Sequence, residues 1–174
     1  MRMSNCPYKN FKQKINNYIN ELREPRDEYG GMPACPFVGP EVDKDKLMID
    51  IFDPSEGSII DMIEKFKQSD YDSALFAQVT DREITSEETY GYQSFINKTL
   101  REAGYDNLKC ICFNPNDEFE IRQKSPYFLI SIADKKVLAD AHRRLLRTKY
   151  FDNMTKKYMD YLHVKEEQLK KGEK

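Results

Sequence analysis

The chain has 174 residues, of which 39% are hydrophobic, 12% aromatic and 33% charged, with a net charge of −2. That length suits one core and leaves little for a second, and the apolar content argues against a disordered chain. No run of about 18 consecutive apolar residues is present, which argues against a membrane-spanning helix, and no apolar stretch near the N-terminus reads as a secretory signal, so the expected setting is the cytoplasm.

A first helix is predicted over 8–22, where Phe11, Ile15, Tyr18, Ile19 and Leu22 recur at helical spacing and Pro25 ends the run. Residues 29–36, rich in Gly and Pro, read as an irregular loop that delivers Cys35. A strand over 46–52 follows, with Leu47, Ile49 and Ile51 alternating with Met48, Asp50 and Phe52. Asp53-Pro54-Ser55-Glu56 is then the start signal of a helix whose buried stripe is Ile59, Ile60, Ile63 and Phe66. The short, almost wholly apolar run 74–79 reads as a strand covered on both faces.

Ser86-Glu87-Glu88 opens another helix, with Tyr92, Phe95, Ile96, Leu100 and Ala103 expected inside and Gly104 as its left-handed stop. Residues 108–113 form the third strand, on which Cys110 and Cys112 share a face with Leu108. Asn114-Pro115-Asn116-Asp117 is turn chemistry, 119–122 is a candidate return strand, and the apolar run 127–132 is a second central one. Asp134 caps a fourth helix carrying Val137, Leu138, Ala141 and Leu145 inside, and a last helix holds Phe151, Met154, Tyr158, Tyr161 and Leu162. The fold class that results is α/β: one mixed sheet of four to five strands packed with helices, an α/β sandwich with extra C-terminal helices. Residues 1–164 make the domain and 165–174 a charged tail.

Four cysteines, at 6, 35, 110 and 112, are too sparse for a disulfide framework, and Cys110-x-Cys112 is too tight for a zinc knuckle. His142 and His163 are isolated from other ligand types, so no metal site and no cofactor is expected. The plain reading of the Cys110 and Cys112 pair is two buried small apolar side chains.

Three proline-locked corners stand out: Cys35-Pro36-Phe37, Phe113-Asn114-Pro115 and Lys124-Ser125-Pro126-Tyr127. Proline fixes its own φ at about −65° and pushes the preceding residue toward extended geometry. In this order the three runs resemble the bacterial domain-of-unknown-function family 1415, whose patterns read Cys-Pro-Phe-Ala, Phe-His-Pro and Arg-Ser-Pro-Tyr-Pro. The resemblance spans roughly residues 11–134 and implies no activity. Asn114 stands where the family has His before proline, Phe128 where it has a second proline, and Ser131 where a His is common. A mechanism built on those imidazoles is therefore not available to this chain.

What remains is Cys35 as candidate nucleophile or redox thiol, with Lys124 as its activating cation and Asn114, Ser125 and Tyr127 as candidate substrate-binding groups. Each has a structural alternative: Cys35 as a buried loop anchor, Ser125 as a hydroxyl satisfying local backbone, Tyr127 as core with its hydroxyl at the rim. The function this supports is a small-molecule or peptide-binding protein, with a thiol-dependent reaction at Cys35 as its enzymatic form. The alternative is a non-enzymatic interaction protein. Residues 135–157 carry eight basic and two acidic side chains, a local net of +6. Arg143, Arg144 and Arg147 could meet an acidic protein or nucleic acid there, although a solvated helix face explains the same pattern.

Overall fold

A computed structural model describes residues 10–116, 125–150 and 152. Helix α1 (Phe11–Arg23) buries Phe11, Ile15, Tyr18, Ile19 and Leu22 along one stripe. It stops because Glu24 precedes Pro25 and adopts extended backbone (φ −70°, ψ 129°). Two short strands, β1 (Pro25–Arg26) and β2 (Met32–Pro33), pair antiparallel around a tight turn at Asp27–Tyr29. Gly30 and Gly31 complete that turn at φ +64° and +80°. The turn is held from the far end of the chain, since the Tyr29 and Tyr150 rings stack with centroids 5.5 Å apart and the Tyr150 hydroxyl donates to the Ala34 carbonyl (2.7 Å). The six-residue helix α2 (Val38–Asp43) leads into the main sheet.

That sheet comprises β3 (Leu47–Phe52), β4 (Ser73–Gln78), β5 (Leu108–Phe113) and β6 (Leu129–Asp134) in the order β3-β4-β6-β5. β3 and β4 are parallel, while β6 runs antiparallel to both of its neighbours, so β3, β4 and β5 all point the same way. Helices α3 (Ile59–Lys67) and α4 (Ser86–Glu102) make the two crossovers, and α5 (Lys135–Leu145) follows β6. The period-two alternation of each strand divides the core in two. On one face Leu75, Ala77 and Leu129 pack with α1, α2 and Leu145 of α5. On the other, Ala74, Phe76, Cys110, Cys112, Ile130 and Ile132 pack with α3 and α4. Helices thus cover both faces of an α/β sandwich, as the strand and helix patterning implies.

Several elements depart from the sequence reading. Asp53 does not start a helix: its Oδ1 accepts the Ser55 N–H (2.8 Å) and hydroxyl (2.7 Å) and closes a turn. The helix begins after Ser58, whose side chain and that of Asp61 cap each other's backbone N–H in a capping box. In α4 the inward face is Thr89, Ile96 and Leu100, whereas Phe95 is 55% exposed and Ala103 is exposed. The rotation has a polar cause. β5 lies at the sheet edge, and α4 turns Gln93 and Asn97 onto its outer backbone: the Cys112 N–H donates to Gln93 Oε1 (3.0 Å), and Asn97 both accepts the Cys110 N–H (2.9 Å) and donates to the Cys110 carbonyl (3.0 Å). The expected strand at 119–122, the last helix and the charged tail lie outside the described residues.

A Cβ on Gly30 would stand 2.7 Å from Lys149 Cβ and 2.9 Å from the Lys149 carbonyl oxygen, whereas a Cβ on Gly31 would meet nothing within 4 Å. Both positions demand a left-handed backbone. Gly31→Ala is expected to lose about 1–2 kcal/mol from φ alone, and Gly30→Ala at least about 1 kcal/mol more from the clash, as read by urea unfolding. Equal losses would show that the Lys149 segment yields freely.

Candidate functional site

In open α/β sheets, ligands gather beyond the carboxyl ends of parallel strands, where neighbouring connections diverge. Here β4 and β5 end on the same side, with the start of β6 between them, and their connections lead in different directions. A hollow of about 300 Å³ opens at that point, lined by the 80–84 loop after β4, by Asn114, Pro115 and Asn116 after β5, and by Phe128 before β6. A second groove, about 400 Å³, is lined by Met48 of β3 and by residues of α3 and the turn after it. Two of its polar groups are already engaged, Asp61 in the capping box and Lys65 in an ion pair with Asp50.

Asn114 is the structural centre of the hollow. It is 3% exposed, and its Nδ2 donates to the Ile84 carbonyl (2.5 Å) and the Thr89 hydroxyl (2.9 Å), while its Oδ1 accepts the Asn116 N–H (2.9 Å). The Thr89 hydroxyl in turn donates to the Thr85 carbonyl (2.8 Å). The end of β5 is thereby tied to the first turn of α4, and the carboxamide is committed to protein partners. One wall is fixed by Arg82, which reaches Glu88 through both terminal nitrogens (2.9 and 3.1 Å) and the Glu83 carbonyl (3.1 Å). Glu88 also accepts the Thr85 N–H (2.9 Å) in the capping box of α4. The Arg82 hydrogen bond, followed by the Thr85 backbone, holds the Glu88 carboxyl down at about 2. Among the described residues Asp81 and Glu83 form no ion pair, and although Asp81 acts on Arg82 at longer range, the wall keeps an excess of negative charge.

The residues singled out from sequence occupy different sides of the sheet. Cys35 follows α1, its N–H donating to the Leu22 carbonyl (3.0 Å), and packs half-buried against the cluster under α1 and α2. Tyr127 packs against the same cluster, but its ring meets Phe11 (centroids 5.8 Å apart) at the opposite end of α1, a helix about 16 Å long between those contacts. Asn114 lies on the α4 face, so the sheet separates it from Cys35. Ser125 is buried and donates to the Tyr127 carbonyl (2.8 Å), the local backbone role weighed from sequence. Lys124 lies outside the described residues. The three corners therefore do not enclose one hollow: the Asn114 and Ser125 corners share the C-terminal edge, and Cys35 stands apart from it. The 80–84 loop was missed because nothing in Thr80-Asp81-Arg82-Glu83 marks it except its position after a central strand.

Arg143, Arg144 and Arg147 are exposed on or just after α5, and Arg143 pairs with Asp140. Among the described residues no group of three or more His, Cys, Asp or Glu side chains could hold a metal ion, and no helix is long and apolar enough to cross a membrane. Directly beneath the hollow, Cys110 and Cys112 are buried with their sulfurs 3.8 Å apart. Tyr92, whose ring meets Phe128 (5.9 Å), is pushed up to about 12, first by burial and then by the neighbouring Cys112 and Cys110. No protein-family model, curated protein or solved structure matches the chain, so the site rests on its own geometry.

Asn114→Ala strands the Ile84 carbonyl and the Asn116 N–H, so it is expected to cost about 2–4 kcal/mol in urea unfolding, and Asn114→Asp a similar amount because a carboxylate cannot donate. A loss under about 0.5 kcal/mol would contradict the anchoring role. Tyr92 supplies a pH test. Its folded value lies above the ordinary 10, so its contribution is fully present below pH 10 and is lost as the pH rises toward 12. Stability should fall more steeply between about pH 10 and about pH 12 in the parent chain than in Tyr92→Phe; parallel curves would contradict it.

Proposed function

We propose that the chain is a small-molecule-binding α/β domain whose ligand sits in the hollow beyond β4 and β5. The observation that carries this reading is the coincidence of a hollow of about 300 Å³ with the divergence of the two strand connections. A volume of that order is at the lower end of small-ligand pockets. The Arg82–Glu88 fork and the Asn114 ties fix the walls in advance, so little ordering cost falls on binding. Asp81 and Glu83 at the wall, with the Phe128 ring behind them, favour a small polar molecule carrying a positive group, such as a primary amine.

The enzymatic form of this reading, with Cys35 as nucleophile, draws less support. Among the described residues no hydrogen bond or ion pair reaches the Cys35 sulfur, and the thiol lies on the other face of the sheet from the hollow. The interaction reading through Arg143, Arg144 and Arg147 rests on the sign of the charge, which Asp140 partly offsets at Arg143. The likeness to domain-of-unknown-function family 1415 adds no ligand to either reading.

The test is a fragment screen with the isotopically labelled chain, using small amines and neutral analogues of the same size. Bound amines should shift the backbone amides of Ile84, Asn116 and Phe128, and Asn116→Trp, at an exposed position on the rim, should weaken them by at least about tenfold. Fragments that bind only elsewhere, or that ignore Asn116→Trp, would sink the proposal.

A further inference from the structure

The Cys110 and Cys112 pair is independent of the amine reading and stands on its own geometry. The two side chains leave the same face of β5, both are buried, and their sulfurs touch at 3.8 Å. Ile96, Leu100, Phe128 and Ile130 belong to the same apolar cluster. Asn114, which lines the hollow, is on this face of the strand line only two residues, about 6.6 Å, beyond Cys112. Cys112 is the more exposed of the pair at 7% and is the one nearer along the chain to Asn114 of the hollow.

Distances decide what such a pair can do. A disulfide requires the sulfurs to close from 3.8 Å to about 2.05 Å. Extended backbone holds Cα atoms two residues apart at about 6.6 Å, near the upper limit for a disulfide, so that bond would need the strand to buckle. A bridging metal ion has the opposite requirement. With metal–sulfur bonds of about 2.3 Å, a linear arrangement needs the sulfurs about 4.6 Å apart, reached by small side-chain rotations away from contact. Among the described residues no third His, Cys, Asp or Glu joins the pair in a metal-holding group, and Tyr92 is the polar neighbour, which favours an ion satisfied by two sulfurs.

We infer that Cys110 and Cys112 form a binding site for a soft, thiophilic d¹⁰ cation that is content with two sulfur ligands, entered from the hollow. Binding converts both thiols to thiolates and releases two protons, with no change of oxidation state. A divalent ion leaves a neutral bis-thiolate, which the apolar cluster accepts more readily than a charged complex.

Mercuric ion is the probe, added to the reduced full-length chain carrying Cys6→Ser and Cys35→Ser, so that only these two thiols remain. The expected result is one ion bound and two protons released per chain, with a rise in the thermal midpoint because the ion favours the folded state. Cys110→Ala or Cys112→Ala in the same background should weaken binding by at least about 100-fold through loss of the second sulfur. Two ions per chain, equal affinity in a one-thiol variant, or a midpoint that falls on adding the ion would overturn the inference, the last because the thiols would then be reached only in unfolded chains. If Cys110→Ala does not fold, Cys112→Ala and the direction of the midpoint shift in the two-thiol chain decide the matter.

Discussion

The pairing of β4 with β6 is the constraint from which the rest of the architecture follows. Both strands are covered on both faces, so their side chains are mostly apolar in both directions, as Ala74, Leu75, Phe76, Ala77, Leu129, Ile130 and Ile132 are, with Ser131 the polar exception in mid-strand. Inserting β6 antiparallel between β4 and β5 forces the crossover through α4 to span two strand positions, and it brings the end of β4, the end of β5 and the start of β6 to one edge. The hollow exists because those three chain segments arrive together and then leave in different directions.

Legibility in the sequence followed how local each cause is. The alternation of Leu108, Cys110 and Cys112 is written in consecutive residues, and β5 spans the residues expected of it. The stripe of α1 and the cap at Asp134 are equally local, and both are present. The start of α3 was misplaced because two overlapping signals compete: Asp53-Pro54-Ser55 resembles a cap, but Ser58 and Asp61 satisfy each other's N–H groups and win. The inward face of α4 was misread for a non-local reason. Periodicity favours burying Phe95, yet the outer backbone of β5 needs partners that only Gln93 and Asn97 can supply.

The candidate site was less legible than the fold. Asn114 was picked for its corner, and it does line the hollow, but as an anchor whose donors and acceptor are occupied within the protein. Cys35 and Tyr127, candidates from their own corners, pack instead against the cluster on the other face. Proline stiffness sets the local direction of the chain but carries no information about which face of a sheet a corner reaches. That depends on the parity of each strand: Phe113 packs against the cluster that holds Cys35, and Asn114, one residue on, turns to the opposite face, toward Thr89 of α4.

The carboxamides of Gln93 and Asn97 imitate the backbone of an absent neighbour. Cys110 and Cys112 offer their outward N–H groups to these side chains rather than to water, so the middle of that flank is already partnered. Where those two N–H groups and the Cys110 carbonyl are taken, a second copy finds fewer groups to zip onto. That stretch of the flank is shielded from the strand-by-strand growth that leads to fibrils.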